Sequence, residues 1–242
     1  MNEYPVTFDG HDLTKLFGVQ WPISRTPIAW EPTVIDVPGR NGSVVNGTRA
    51  LPVDVSMTLW TLAETRTERQ QSVRTLARWL AVEEPKPLYL GDEGGLWRMA
   101  MPVESSEMAS YLNADSVTVK FRCFDPILYG EERSVTVPSG GSVTVLVDGT
   151  APTMPTITAA SARDGTSGYW QLWLDEVRHL DADTGNSNVT VTADCQRRIL
   201  RVNSSVQMLQ TDADWLELTP GTHTLRVAGT GAATVSWTER WW

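Results

Sequence analysis

The 242-residue sequence is poor in the residues that carry catalysis or bind metals. Its two cysteines, Cys123 and Cys195, lie 72 positions apart, which predicts neither a disulfide framework nor a CxxC metal site. The three histidines are far apart, each without a partner at metal-ligand spacing. No run of about 18 apolar residues occurs, and the first residues lack the basic and apolar segments of a signal peptide. We therefore expect a soluble protein made in the cytosol, with no catalytic, cofactor or metal site.

Positive charge is also scarce. The net charge is −9, and the only lysines are Lys15, Lys86 and Lys120. Residues 1–135 carry 13 basic and 18 acidic residues, and residues 136–242 carry 7 and 11. Neither part has the basic excess of a nucleic-acid-binding domain, so we expect no specific nucleic-acid binding and no membrane insertion.

One stretch, residues 65–84, predicts an amphipathic helix. Thr65 and Glu68 have the spacing of a capping box, and Pro85 ends the pattern. The expected apolar face holds Val73, Leu76, Ala77 and Leu80. The opposite face carries Arg66, Arg69, Arg74 and Arg78. These arginines indicate either a solvated face or a subunit contact.

Elsewhere the hydrophobic period is two, which is typical of strands. Residues 53–60 and 115–123 both alternate, and the second stretch places Cys123 on a buried face. A helix between strands predicts an α+β domain over residues 1–135. Eight short strand-like segments follow, the sixth of them WLEL, and predict an all-β sandwich of jelly-roll type over residues 136–242. The stretch SVTVPSGGS, residues 134–142, is interpreted as the linker.

Two loops have distinctive turn chemistry. The first, VPGRNGSVVNG at residues 37–47, predicts a tight hairpin with an exposed arginine. Its turn residues are Pro38, Gly39, Arg40, Asn41 and Gly42. The second lies within FRCFDPILYG, residues 121–130, where Pro126 cannot donate to a ladder and biases Asp125 toward an extended conformation. The strand must end or leave its sheet there, so this stretch is interpreted as the exit from the first domain.

Three other features have ordinary explanations beside sharper ones. The segment DADTGNSN, residues 181–188, resembles the start of a calcium loop but departs from it at the fifth, sixth and twelfth positions, so a hairpin loop is favoured. Asp212 and Asp214 are a carboxylate pair whose separation across a glycosidic bond the sequence cannot give. Eleven tryptophans are explained by core packing, with a sugar platform as the alternative.

In combination, several motifs resemble the distal tail protein (Dit) family of siphophages over essentially the full chain. They are FDGHDL near the start, VPGRNG, the single helix, FRCFDPILYG and the tryptophan-rich end LTPGTHTLRVAGTGAATVSWTERWW. The central motif C-x-D-P-x-x-Y-G corresponds to Cys123, Asp125, Pro126, Tyr129 and Gly130. Family members often have an aromatic residue directly after the proline, where this chain has Ile127.

The resemblance implies a hexameric ring at the tip of a long non-contractile tail, located in the virion after assembly in the host cytoplasm, through which DNA passes. It implies a tail-tube-like first domain, a β-sandwich or split barrel with one helix, followed by a galectin-like or carbohydrate-module-like sandwich. The implied partners are the tail tube protein, the tape-measure protein, a tail hub or tail-associated protein and receptor-binding proteins, with a saccharide contact by the second domain. The alternatives are a carbohydrate-binding module and, third, a glycosidase.

Overall fold

A computed structural model of the chain describes residues 4–105, 109–110, 115–163, 169–185 and 187–242. Most of these residues lie in β-strands. The chain divides into two compact units, the first containing residues 1–128 together with Trp242 and the second containing residues 129–241. No helix within the described ranges is long and apolar enough to cross a membrane.

The first unit is built from eleven strands in the described residues, with a short 3-10 helix at Leu13–Lys15. The strands are β1 (Val6–Phe8), β2 (His11–Asp12), β3 (Phe17–Val19), β4 (Ser24–Arg25), β5 (Trp30–Asp36), β6 (Ser43–Ala50), β7 (Val53–Thr61), β8 (Lys86–Leu90), β9 (Trp97–Ser105), β10 (Ala109–Ser110) and β11 (Asp115–Cys123). Strands β9, β11, β7 and β3 are neighbours in that order, and β8 joins β9 to β1. Within the described parts of the chain, strands β5 and β6 pair only with each other.

Alternation along β7 and β11 fixes which side chains enter the first core. The odd-numbered residues Val53–Leu59 and Val117–Cys123 are buried, while the even-numbered residues between them are half-buried on the other face. The prediction that Cys123 is a buried residue in a strand is confirmed. Strand β11 ends at Cys123, two residues before Asp125-Pro126, as the proline required.

One α-helix occurs in the described residues, α1 (Arg66–Leu80), between β7 and β8. Its capping box is present: Glu68 N–H donates to Thr65 Oγ1 at 3.3 Å, and Thr65 N–H donates to the Glu68 carboxylate at 3.2 Å. The predicted end at residue 84 is wrong, because the helix stops at Leu80. Val82 packs on the core instead, and Glu83 and Glu84 would add negative charge to the negative end of the helix dipole.

The predicted apolar face of the helix is confirmed in part, because Leu76 is buried and Leu80 packs against the first core. Leu76 and Ser72 are buried, whereas Ala77 is exposed and Val73 is only half-buried. The buried face is therefore turned toward the Ser72 side, where Trp79 packs against the first core. The small hydroxyl of Ser72 fits this close approach, and a hydrophobic count does not detect it.

The second unit is a sandwich of two antiparallel sheets around one core. Its strands are β12 (Leu128–Val137), β13 (Ser142–Val147), β14 (Thr156–Ala162), β15 (Tyr169–Leu174), β16 (Arg178–Asp183), β17 (Val189–Asp194), β18 (Ile199–Val202), β19 (Ser205–Gln207), β20 (Gly221–Ala228) and β21 (Ala233–Trp241). One sheet has the order β13-β20-β15-β16, and the other runs from β19 through β18, β17, β14 and β21 to β12. Trp170 and Ile157, from opposite sheets, meet in the shared core.

Three predictions in this unit are wrong. The interpreted linker, residues 134–142, contains the end of β12, a tight turn in which Gly141 N–H donates to Pro138 O at 3.0 Å, and the start of β13. Val137 within it is fully buried. WLEL forms no strand, only one bridge from Leu218 to Thr153. The interpretation of residues 181–188 as a hairpin loop is wrong at its first residues, because Asp181 is buried within β16. Asn186 lies outside the described residues.

Candidate assembly surfaces

The hairpin of β5 and β6 is the most exposed part of the first unit, and we call residues 30–50 the arm. Every residue of β5 is exposed, and in β6 only Val44 and Ala50 are half-buried. Five large apolar side chains of the arm face solvent: Trp30, Val34, Ile35, Val37 and Val45. Near the base, an exposed ion pair joins Arg49 and Glu31 across the strands.

The tip of the arm has the turn chemistry that the sequence predicted. Arg40 N–H donates to Val37 O at 3.1 Å, and Gly39 has a φ of 80°, so Pro38-Gly39 fills the two central positions of a type II turn. Gly42 has a φ of 79° and begins the return to β6. The five predicted tip residues therefore lie together in one exposed loop, with Arg40 at its end.

The helix arginines do not form one set. Arg66, Arg74 and Arg78 are exposed, and no carboxylate of the described residues lies within ion-pair distance of any of them. Arg69 is instead largely buried, with a side chain 12% exposed. It donates to the Glu64 carbonyl at 3.0 Å and lies 3.9 Å from the Asp115 carboxylate. Three unpaired arginines on one helix face of an acidic protein form a cationic surface.

The residues of the predicted domain-exit motif have separate structural roles. In the first unit, Cys123 is buried, which raises the pKa of its thiol to about 11, and the Asp125 carboxylate accepts a hydrogen bond from Ile127 N–H at 3.1 Å. Pro126 lies between Asp125 and Ile127, the two residues that this hydrogen bond joins. In the second unit, the Tyr129 ring lies 5.3 Å from the Arg240 guanidinium, and Gly130 continues β12.

The sequence did not reveal a charge-balanced face on β7 and β11. Arg122 donates to both Asp54 oxygens, at 2.8 and 3.0 Å. Lys120 lies 3.1 Å from Asp54 and 3.6 Å from Glu104. The Arg122 hydrogen bonds, aided by Lys120 and opposed by burial, lower the pKa of Asp54 to about 2. Both cations of this face are thus paired with carboxylates.

A second charged group is buried deeper in the first unit. Arg98 is 5% exposed and is paired with Glu93, which also lies 3.2 Å from Arg25. Burial raises the pKa of Glu93, and the two arginines oppose that rise. The alternation of apolar and polar residues does not indicate this cluster, because a pattern-based prediction assigns an arginine to the surface.

Trp173, half-buried on β15, is a candidate sugar platform in the second unit. It lies on the outer face of β15, between His179 of β16 and Arg226 of β20. The His179 ring stacks at 4.2 Å between centroids, and the Arg226 guanidinium lies 5.4 Å from the indole centroid from the opposite neighbouring strand. Both faces of the indole are therefore covered by protein groups.

His223 has an acidic neighbour but is fixed on both sides. Nδ1 is 2.6 Å from the Asp175 carboxylate, and Nε2 is 2.7 Å from the Thr219 carbonyl. Burial would raise the pKa of Asp175, but hydrogen bonds from His223 and Thr224 N–H lower it overall. Both imidazole nitrogens are thus occupied by protein partners, so neither is available as a base for a substrate. The contact between His223 and Asp175 stabilises the turn after β15. Among the described residues, no group of three or more His, Cys, Asp or Glu could hold a metal ion.

Comparisons with known proteins cover both units. Residues 8–123 match the family described as the phage tail protein RIFT-related domain, and residues 148–241 match the C-terminal domain of the siphovirus-type tail component. The distal tail protein of Bacillus phage SPP1 is 28% identical over 248 residues, which cover 98% of this chain and 95% of the relative. The chain belongs to the siphophage distal tail protein family. It is therefore a structural component of a phage tail.

Solved structures agree with the family at the level of fold. The crystal structure of SPP1 Dit, described as a paradigm of the hub adsorption apparatus in phages that infect Gram-positive bacteria, matches with a TM-score of 0.77, 21% identity and 98% coverage of both chains. A chain of the phage p2 baseplate in its activated conformation matches with a TM-score of 0.52 and 11% identity, over 98% of this chain and 97% of that one.

Proposed function

We propose that the protein forms a hexameric ring at the distal end of a long non-contractile tail, where it joins the tail tube to the host-recognition apparatus. The observation that carries the proposal is the arm, a hairpin that exposes apolar residues and pairs with no other strand of the described residues. A heterologous contact that closes by rotation gives a ring. The arm and the exposed helix arginines, Arg66, Arg74 and Arg78, supply two different surfaces for such a head-to-tail contact.

The two parts of the chain have different roles in this proposal. The first unit forms the tail-tube-like ring, and the second unit forms a galectin-like sandwich that serves as an attachment point. The neighbours are the tail tube protein, the tape-measure protein, the tail hub protein and receptor-binding proteins, assembled in the host cytoplasm. The protein acts by contact and has no catalytic step, consistent with the fixed imidazole of His223.

DNA passes through the ring in this proposal, so the channel wall must not retain it. Every phosphate neutralised by Lys or Arg releases counterions and adds affinity. The charge-balanced face of β7 and β11 meets this need, because Arg122 and Lys120 already pair with Asp54 and Glu104. An acidic wall would add a repulsive layer about 10 Å thick at 0.1 M salt. We expect no binding of duplex DNA at physiological salt by fluorescence anisotropy, and salt-sensitive micromolar binding would overturn the channel assignment.

The ring itself is tested by light scattering and negative-stain electron microscopy of the purified chain, alone and with its tail tube partner. Rings of six protomers are the expected result. A chain that remains monomeric at tens of micromolar, and shows no rings with the tube protein added, would refute the proposal.

Carbohydrate binding is the alternative function, and it would need an aromatic side chain on which a sugar ring can stack. Sugar stacking needs an open aromatic face, whereas Trp173 is covered by His179 on one side and Arg226 on the other. The covering of Trp173 supports the attachment role over a lectin role that would use this tryptophan.

A further inference from the structure

The arm has apolar side chains on both of its faces. Val34 lies opposite Val45, and Ile35 lies opposite Val44. Successive residues of a strand point to opposite faces, so these two pairs occupy different faces of the same hairpin. Val34, Ile35 and Val45 are 52%, 48% and 59% exposed. Solvent therefore contacts aliphatic groups on each side of the arm.

Strands with one solvent face look different in this chain. Along Val53–Leu59 of β7 and Val117–Cys123 of β11, buried apolar residues alternate with polar ones. Consecutive apolar residues are instead typical of strands buried on both faces. An isolated two-stranded hairpin is also marginally stable in water. The arm thus has the composition of a strand pair whose two faces are both covered in the assembled state.

The edges of the arm are unsuited to strand addition. Pro32 lies within β5 and has no N–H to donate. In β6 the register shifts so that Thr33 faces Gly47 and Val34 faces Val45, which leaves Asn46 as a bulge. Prolines and bulges are the devices that blunt an edge strand against further pairing. Contacts to the arm must then come from side chains on its faces.

The first unit also offers apolar surface that can cover the arm of another copy. Outside the arm it exposes the large apolar side chains of Tyr4, Trp60, Leu62, Val103 and Phe124. Each protomer of a cyclic ring has a neighbour on both sides. We infer that the arm is clamped between copies of this chain, one covering the Val34/Val45 face and the other the Ile35/Val44 face. This inference rests on the proposed ring.

Thiol labelling tests the two faces separately. Both native cysteines, Cys123 and Cys195, are buried, so a cysteine introduced on the arm is the reactive thiol. Val34→Cys and Ile35→Cys are compared in dilute monomer and in the assembled ring, with Val177→Cys in the second unit, 79% exposed, as the matched control. The labelling rates of both arm thiols should fall at least about tenfold on assembly, while that of the control changes little.

The outcomes separate the inference from the proposed function. Rings in which only one arm thiol is protected would show a one-sided contact, and rings in which neither is protected would remove the arm from the interface; either result overturns the inference while the ring stands. Absence of rings would overturn both.

As a second measurement, Val34→Thr/Val45→Thr and Ile35→Thr/Val44→Thr keep the β-branched shape and should each raise the concentration needed for half-assembly at least about tenfold. Unchanged assembly of either pair argues against the clamp.

Discussion

A glycine beneath an indole gives a sharp test of the packing in the first unit. Gly18 of β3 lies opposite Trp60 of β7. A Cβ added at Gly18 would lie 2.1 Å from both Cε2 and Nε1 of that indole and 2.5 Å from Cζ2. Non-bonded carbon atoms pack at about 3.5–4.0 Å, so the Gly18→Ala variant must move the indole off β3.

The cost follows from the surface that the indole loses. Trp60 is 36% exposed, so most of its side chain is covered. Large aromatic side chains bury about 150–250 Å² each, and moving this one aside exposes roughly 100 Å², worth about 2–3 kcal/mol at 25 cal/mol per Å². Replacing Gly by Ala at a compatible φ returns about 0.4–1 kcal/mol through the unfolded chain. We expect Gly18→Ala to destabilise the first unit by about 2 kcal/mol.

A double-mutant cycle isolates this contact. In a Trp60→Ala background the indole no longer opposes the new Cβ, so Gly18→Ala should become neutral or slightly stabilising. The free energy of unfolding of all four variants is measured by urea titration with circular dichroism. The packing argument fails if Gly18→Ala costs the same with and without Trp60, or if it costs nothing in the native background.

Two further predictions concern backbone approach and pH. Gly149→Ala would place a Cβ 2.2 Å from the Arg240 carbonyl oxygen at a φ of 100°, and because a backbone atom cannot rotate away we expect a loss of about 3 kcal/mol or more by urea titration, which Arg240→Ala does not rescue. The lowered pKa of Asp54 stabilises the fold above pH 4, and this contribution is lost as the pH falls from about 4 toward 2. Since the site is partly solvated, we expect on the order of 1 kcal/mol, seen as a stability gap between native protein and Asp54→Asn that closes over this range. A gap of undiminished size at pH 2 contradicts this account.

Features that depend on nearby residues were predictable from the sequence. Thr65 and Glu68 are three residues apart and form the predicted capping box. Pro38 and Gly39 set the conformation of the turn that they occupy. The alternation of β7 and β11 needs only a period of two. In each case the interactions that determine the local structure are made between residues only a few positions apart in the sequence.

Features that depend on distant residues were missed. Asp54 and Arg122 are 68 positions apart, and no spacing relates them. Trp173 is covered by strands on both sides, which its own sequence neighbourhood does not show. The linker interpretation of residues 134–142 failed for the same reason. Pro138 and the two glycines mark a turn, but whether a turn separates domains or joins two paired strands depends on the partners of β12 and β13.

The arm shows why an assembly surface is harder to predict than a core. A run such as Val34-Ile35 has the pattern of a strand buried within its own chain, and only the fold reveals that both residues are exposed and that their hairpin pairs with no other described strand. Exposure alone is not the criterion, because the second unit also exposes Leu146 and Val177 on separate elements, and single exposed residues are ordinary. What distinguishes the arm is that its exposed apolar groups are contiguous, lie on both faces, and belong to a hairpin too small to be stable in isolation. Those three properties together support the proposal that a neighbour covers the arm, and in the proposed ring that neighbour is another copy of the same chain.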